Sequence, residues 1–363
     1  MSFSTHKIMT WKMWKVTKYG CLISLAYFLS NSAMAGPNDA VADDGTVQEA
    51  KEVAGNVANM PRAFSQELGF FQDSFEGTGF DEGNGEMGII SGEGEVTFEN
   101  GVVPAYILQE EEDAIPAPVP GKYAPKKLSE PETVIGTDRR QRLRTTIFPT
   151  RAVTYIYFKN SAGSGFSCTG WMIGPNTVAT AGHCVHSGGS GGSWYVGASY
   201  KIYPGRDGSS APYGYCTAKG LYSVTGWTVS GNHQYDYAAI KLNCTVGKTT
   251  GWFGFKYKTT SLVNEPTIVQ GYPGDKPSAT HWLGADKNRC DAPRKIYYSS
   301  DTAGGMSGGP IWNDVTFGIN SGAIAMGVHA YGKWGTGCNA MYNGGTRITL
   351  AVYNNYVNWK NLP

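Results

Sequence analysis

The sequence predicts an all-β fold, built as an antiparallel barrel or sandwich and finished by one terminal helix. Three observations carry that reading. Beyond Thr133 the chain breaks into short β-favouring runs, among them 152–158 (AVTYIYF), 237–242 (YAAIKL) and 267–272 (TIVQGY). Gly, Pro, Asn and Asp separate these runs as turn signals, which favours antiparallel sheets over alternating strands and helices. Helical spacing occurs only at 349–360, where Leu350, Tyr353 and Val357 fall at i, i+3 and i+7 on one face. Residues 133–363 suffice for one large β domain or two small barrels.

The chain begins with Lys7, Lys12, Lys15 and Lys18, an apolar run at 21–29 and Ala33-Met34-Ala35 before Gly36. A charged start, a short apolar core and a small-x-small site mark residues 1–35 as a secretory signal peptide. The apolar run is too short to span a bilayer as a helix.

Charge then divides the remainder. Residues 36–132 hold 20 acidic and 5 basic side chains, whereas 133–363 hold 9 acidic and 21 basic. This asymmetry separates two functional parts. The first is rich in Gly and Glu, with Phe70, Phe71, Phe75 and Phe80 as possible ordering points, and ends in a proline-rich strip at 116–131 that reads as an exposed linker. Together they read as a removable pro-segment, 36–132, ahead of a functional region divided near 245 into 133–245 and 246–363. The basic balance of that region lacks arginine clustering, so it signals attraction to acidic substrates and not a nucleic-acid module.

Cys21 leaves with the signal peptide. Cys168, Cys184, Cys216, Cys244, Cys290 and Cys338 remain, an even number that suits disulfides in an exported domain. Six cysteines allow 15 connectivities. Chain order favours the local pairs 168–184, 216–244 and 290–338. No Cys-x-x-Cys or clustered His/Cys spacing indicates zinc, and neither a metal nor another cofactor is expected.

The chemistry centres on Gly304-Gly305-Met306-Ser307-Gly308-Gly309-Pro310. Glycines around a serine let the backbone turn sharply and free N–H groups for an oxyanion. A nucleophilic serine also needs a base, and the base an orienting acid. His183, His186, His233, His281 and His329 are the histidines that survive signal removal. His183, in Thr180-Ala181-Gly182-His183-Cys184, stands beside a cysteine that could pin its loop. Asp236 precedes the apolar run Tyr237-Ala238-Ala239-Ile240, and a buried carboxylate there requires a partner such as an imidazole.

These three segments, in the order His, Asp, Ser, resemble the chymotrypsin-like serine proteases. Val134-Ile135-Gly136, Cys168-Thr169-Gly170-Trp171-Met172-Ile173-Gly174-Pro175, Gly271-Tyr272-Pro273-Gly274-Asp275-Lys276 and Gly345-Thr346-Arg347-Ile348-Thr349 narrow the likeness to the secreted bacterial glutamyl endopeptidases, over residues 133–363. The resemblance implies two six-stranded antiparallel β-barrels with the active site in the cleft between them. It implies His183 as general base, Asp236 as its orienting acid, Ser307 as nucleophile, and the N–H groups of Gly305 and Ser307 as the oxyanion hole. Protein or peptide substrates, a monomer and an extracellular location free of the membrane follow from it, with the pro-segment as the chain's own partner.

A catalytically inert protease-like binding protein is the alternative from another class, disfavoured by the filled His, Asp and Ser positions, and for an active enzyme specificity has two readings. Asp301, six residues before Ser307, stands where trypsin-like enzymes carry the acid that binds Lys or Arg. The glutamyl endopeptidases instead hold a substrate carboxylate with a histidine and a neighbouring hydroxyl, which the resemblance places at His329 and Thr302. Composition favours the second reading. Residues 36–132 contain 14 glutamates, and 133–363 contain only Glu265, which precedes Pro266. A domain of this size normally holds about a dozen. Lys and Arg are not depleted, so the region 133–363 specifically lacks the sites a Glu-cutting protease would attack. At the junction, Pro131 shields Glu130 and nothing shields Glu132, which makes the Glu132–Thr133 bond the expected processing site, with self-cleavage and cleavage by another protease both open. Met306 replaces the aspartate that in trypsin-like enzymes pairs with the new amino terminus, so that ion pair cannot form here.

Overall fold

The computed structural model describes residues 36–48, 78–84, 95–98, 101–104, 132–317 and 320–363. The expected signal peptide, Phe70, Phe71, Phe75 and the proline-rich strip lie outside them. The first elements are β1 (Ala40–Ala42), β2 (Val47–Gln48), β3 (Thr78–Asn84), β4 (Glu95–Phe98) and β5 (Gly101–Pro104). After the junction come β6 (Gln141–Arg142), β7 (Val153–Lys159), β8 (Gly165–Gly174), β9 (Thr177–Thr180), β10 (Lys201–Pro204), β11 (Ala218–Val224) and β12 (Ala238–Leu242). The remaining strands are β13 (Trp252–Lys258), β14 (Pro266–Gly271), β15 (Trp282–Lys287), β16 (Cys290–Ala292), β17 (Lys295–Tyr298), β18 (Pro310–Phe317), β19 (Asn320–Tyr331) and β20 (Asn343–Arg347).

β7 shows why the runs become strands. Thr154, Ile156 and Phe158 are buried while Tyr155 and Tyr157 are half-buried and Lys159 is exposed, the two-residue period of a pleated strand with one face inward. Strands β7 to β12 form one antiparallel sheet in the order β10-β7-β8-β9-β12-β11. Reciprocal 2.9 Å backbone hydrogen bonds between Ile202 of β10 and Cys216, just before β11, close it on itself. The other sheet runs β16-β17-β20-β19-β18-β14-β15-β6, with β13 joined in parallel to β19. The two-barrel antiparallel reading holds, and the first sheet carries the expected six strands from this region. The second carries more, because the short flanking strands β6 and β16 and the parallel strand β13 extend it.

Part of the acidic segment belongs to these sheets. β1 pairs with β11, and β3 pairs with β13 over Trp252–Lys258. The stretch expected to be removed therefore contributes an edge strand to each sheet of the uncut chain.

One apolar core links the sheets. Trp171 of β8 meets Phe253 of β13 at 5.7 Å and Tyr356 of the terminal helix at 6.0 Å, and Phe253 meets Trp312 of β18 at 5.7 Å. The helix spans Leu350–Asn361 with Thr349 as N-cap, close to the expected 349–360. Its buried face is turned from the expected one: Val352, Tyr356 and Trp359 are buried, Tyr353 and Val357 are half-buried against the core, and Leu350 is exposed. The large aromatic side chains have more apolar area to remove from water and so take the inward positions.

Lys241 of β12 ends that helix. Its buried ammonium donates to the Thr177 hydroxyl at 3.1 Å and to the carbonyls of Trp359 and Lys360 at 3.3 and 3.1 Å, capping the end of the helix, where the Trp359 carbonyl also accepts the Leu362 N–H. Lys241→Met keeps the volume and removes this donor from a buried position, so it is expected to lower unfolding stability by about 2 kcal/mol, read from the urea midpoint. An unchanged midpoint would show that water replaces the cap without loss.

Candidate active site

Each expected catalytic side chain sits where a strand gives way to a short turn. β9 ends at Thr180, and the single turn Gly182–Cys184 carries His183. The Cys168–Cys184 disulfide ties that turn to β8. The turn His233–Tyr235 delivers Asp236 just before β12, which pairs with β9, so antiparallel pairing sets the two residues side by side. Asp236 is fully buried. One of its oxygens accepts the His183 backbone N–H at 2.8 Å and the other accepts from His183 Nδ1, also at 2.8 Å. The Tyr331 hydroxyl donates to that second oxygen. With its proton on Nδ1, the imidazole presents a lone pair at Nε2, which has no hydrogen-bond partner among the described residues.

Burial opposes the charged forms of both groups, but their mutual attraction and hydrogen bond outweigh it. The His183 pKa is held above its ordinary value, while that of Asp236 is lowered with further help from Tyr331.

Ser307 precedes β18 in a loop fastened to the first sheet. Thr169 of β8 donates its N–H to the Ser307 carbonyl at 2.8 Å and its hydroxyl to the Gly305 carbonyl at 2.8 Å. Gly305 has φ +103, and a Cβ there would stand 2.5 Å from the Tyr272 carbonyl oxygen. Gly308 has φ +87, with Thr169 O at 2.1 Å from the same hypothetical atom, so only glycine fits either position. The N–H groups of Gly305 and Ser307 have no hydrogen-bond partner among the described residues.

The Ser307 hydroxyl does not bond His183. It donates to the Glu132 carboxylate, whose side chain is only 1% exposed. The same Glu132 oxygen lies 3.4 Å from His329 Nε2. Tyr298 and His329 Nδ1 share a 2.5 Å hydrogen bond on the far side of that ring. Thr302 is fully buried, with a hydroxyl lacking a hydrogen-bond partner among the described residues. Around them, Asn343 donates from Nδ2 to the Thr133 carbonyl at 2.6 Å and accepts the Thr133 N–H at 3.3 Å.

Asp301 is engaged elsewhere. Its oxygens accept the N–H groups of Ile135 at 2.7 Å and Arg139 at 2.9 Å, with Arg139 Nε at 3.9 Å. The carboxylate anchors the segment after the junction, and the same segment is held again where Arg140 chelates Asp275 through two nitrogens at 2.9 and 2.5 Å.

A trypsin-like peptidase domain model matches residues 168–316. A glutamyl endopeptidase of Bacillus licheniformis is 43% identical over 232 residues, covering 63% of this chain and 70% of that protein. The chain belongs to the glutamyl endopeptidase family. Like its family it is a serine endopeptidase, acting on proteins or peptides. A solved Glu endopeptidase structure, in complex with MPD, aligns with TM-score 0.53 and 30% identity over 63% of this chain and 100% of that one. An extracellular metalloprotease of Bacillus subtilis is 40% identical over 235 residues, 64% of this chain and 71% of that protein.

Among the described residues, the one cluster of candidate ligands is Cys168, His183 and Cys184. Its sulfurs are joined in a disulfide and His183 Nδ1 is bonded to Asp236, so the cluster does not fit a cation. All three disulfides are the local pairs, 168–184, 216–244 and 290–338.

Sequence reasoning did not find three buried residues of this family member's site: Tyr298, Tyr331 and Lys295. The Lys295 ammonium lies 4.1 Å over the Tyr331 ring, and burial pushes its pKa down to about 7. His186 and His281 stand apart, with burial lowering their pKa values to about 4 and about 3, and His233 stacks on Tyr331 at 4.8 Å.

Proposed function

We propose that this endopeptidase is exported as a precursor and cuts peptide bonds on the carboxyl side of glutamate, less readily aspartate. The seat of the Glu132 carboxylate, between the Ser307 hydroxyl and His329, carries this reading. A glutamate side chain of the chain itself fills a buried space beside the nucleophile, and the groups around it are those suited to a substrate carboxylate. Thr302, with its unengaged buried hydroxyl, is the second donor for it. The glutamate specificity named for the Bacillus licheniformis relative and the scarcity of glutamate in 133–363 agree with the reading. The one glutamate of that region, Glu265, is held by Lys258 at 2.5 Å and Lys256 at 3.3 Å. Both oxygens of Asp301 already serve the chain itself, accepting the backbone N–H groups of Ile135 and Arg139.

Once Glu132 withdraws, His183 Nε2 takes the Ser307 hydroxyl proton as the oxygen attacks the scissile carbonyl. The oxyanion is received by the N–H groups of Gly305 and Ser307, worth about 3–4 kcal/mol per donor. The tetrahedral adduct collapses as His183 returns the proton to the leaving amine, giving an acyl-enzyme. Water, deprotonated by the same nitrogen, then releases the acid product. Processing after Glu132 frees Thr133 and yields the mature chain 133–363, secreted by way of the 1–35 signal. Among the described residues no helix is long and apolar enough to cross a membrane.

Matched chromogenic peptides ending in Glu, Gln or Lys test the specificity. The Glu peptide is expected to exceed the Gln peptide by about 100-fold or more in kcat/KM, because a neutral amide mismatches the buried donors. Preferred turnover of the Lys peptide would restore the trypsin-like reading.

A further inference from the structure

Tyr298 and His329 are both fully buried and lie on strands of the second sheet separated only by β20. Burial, reinforced by the nearby Glu132 charge, holds the Tyr298 phenol far above its ordinary pKa, so it keeps its proton at neutral pH. Among the described residues, His329 Nδ1 is the only hydrogen-bond partner of that hydroxyl. A buried hydroxyl with one acceptor in reach directs its proton there. Nδ1 is then the acceptor, and in the neutral ring the remaining N–H sits on Nε2, the nitrogen 3.4 Å from the Glu132 carboxylate.

We infer that Tyr298 is a positioning residue for specificity: it fixes the tautomer of His329 so that Nε2–H faces a substrate carboxylate. The inference rests on the glutamate reading above and adds a residue that never touches substrate. It gives the pocket an N–H donor even when the imidazole is neutral. Without the tyrosine hydroxyl, the ring is free to place its proton on Nδ1 and turn a lone pair toward the carboxylate, an arrangement that repels glutamate. Backbone bonds hold the His329 main chain in either case, since its N–H donates to the Gly309 carbonyl at 2.9 Å and its carbonyl accepts from Gly308 at 2.7 Å.

The test compares mature wild type with Tyr298→Phe on the Glu and Gln peptides. The Glu/Gln ratio of kcat/KM is expected to fall about tenfold, with the loss on the Glu peptide carried by KM. Equal loss on both peptides, or an unchanged ratio, would overturn the inference. A wild-type enzyme without glutamate preference would sink the specificity reading together with this one, whereas a selective wild type with an unmoved variant ratio sinks this one alone. A second measurement does not depend on how the variant folds. In the Ser307→Ala chain at pH 8, nitrogen-15 spectra of the histidine rings should show His329 protonated at Nε2 and accepting at Nδ1. A proton on Nδ1 would refute the tyrosine's assigned role.

Discussion

Ser307→Ala in the full-length chain is expected to lower kcat by about 10⁶ and to leave the Glu132–Thr133 bond intact. The size follows from the serine's place in the proposed mechanism. His183 and Asp236 keep their geometry but have no oxygen to activate, so only the oxyanion donors and substrate binding remain. Loss of the hydroxyl also removes one of the two groups that hold Glu132, leaving His329 3.4 Å away. Amino-terminal sequencing of secreted material decides the processing question. A mature chain beginning at Thr133 in this inactive variant would show that another protease makes the cut.

Asp236→Asn is expected to cost about 10⁴ in kcat. An amide nitrogen facing His183 Nδ1 would force the ring's proton onto Nε2, the nitrogen that must accept from Ser307. The pH profile gives the second readout. Burial disfavours the His183 imidazolium, but Asp236 outweighs it and raises the pKa above the ordinary 6.5. Catalysis needs the neutral ring, so wild-type kcat/KM falls as pH drops through a value above 6.5. Removing the aspartate charge lowers that pKa and moves the acidic limb to lower pH. An acidic limb that stays in place would show that another group titrates there.

The segments of the candidate site were legible because each motif is local. A histidine beside a cysteine, an aspartate ahead of an apolar run and a serine among glycines all announce themselves within a few residues, and β9–β12 pairing then brings His183 to Asp236. The disulfides were legible for the same reason, since chain order alone favours neighbours. Tyr298, Tyr331 and Lys295 were not, because their importance comes from partners across the sheets: Tyr331 reaches Asp236 over 95 residues and Tyr298 reaches His329 over 31. No period or spacing in the sequence records such a meeting. Asp301 shows the opposite hazard. Its distance from Ser307 suggested a trypsin-like pocket, yet its partner is the backbone of Ile135, 166 residues earlier, which no local pattern specifies. The terminal helix was visible by period, but its inward face was set by the bulk of Tyr356 and Trp359.

The inserted Glu132 has a kinetic meaning. It touches Ser307 with the tip of its side chain, and the following Thr133 carbonyl is held by Asn343. A molecule in this state cannot attack its own junction without first withdrawing the residue that blocks it. Were the enzyme itself to cut that bond, the blocked state would favour an encounter between two molecules, with a rate that rises with precursor concentration.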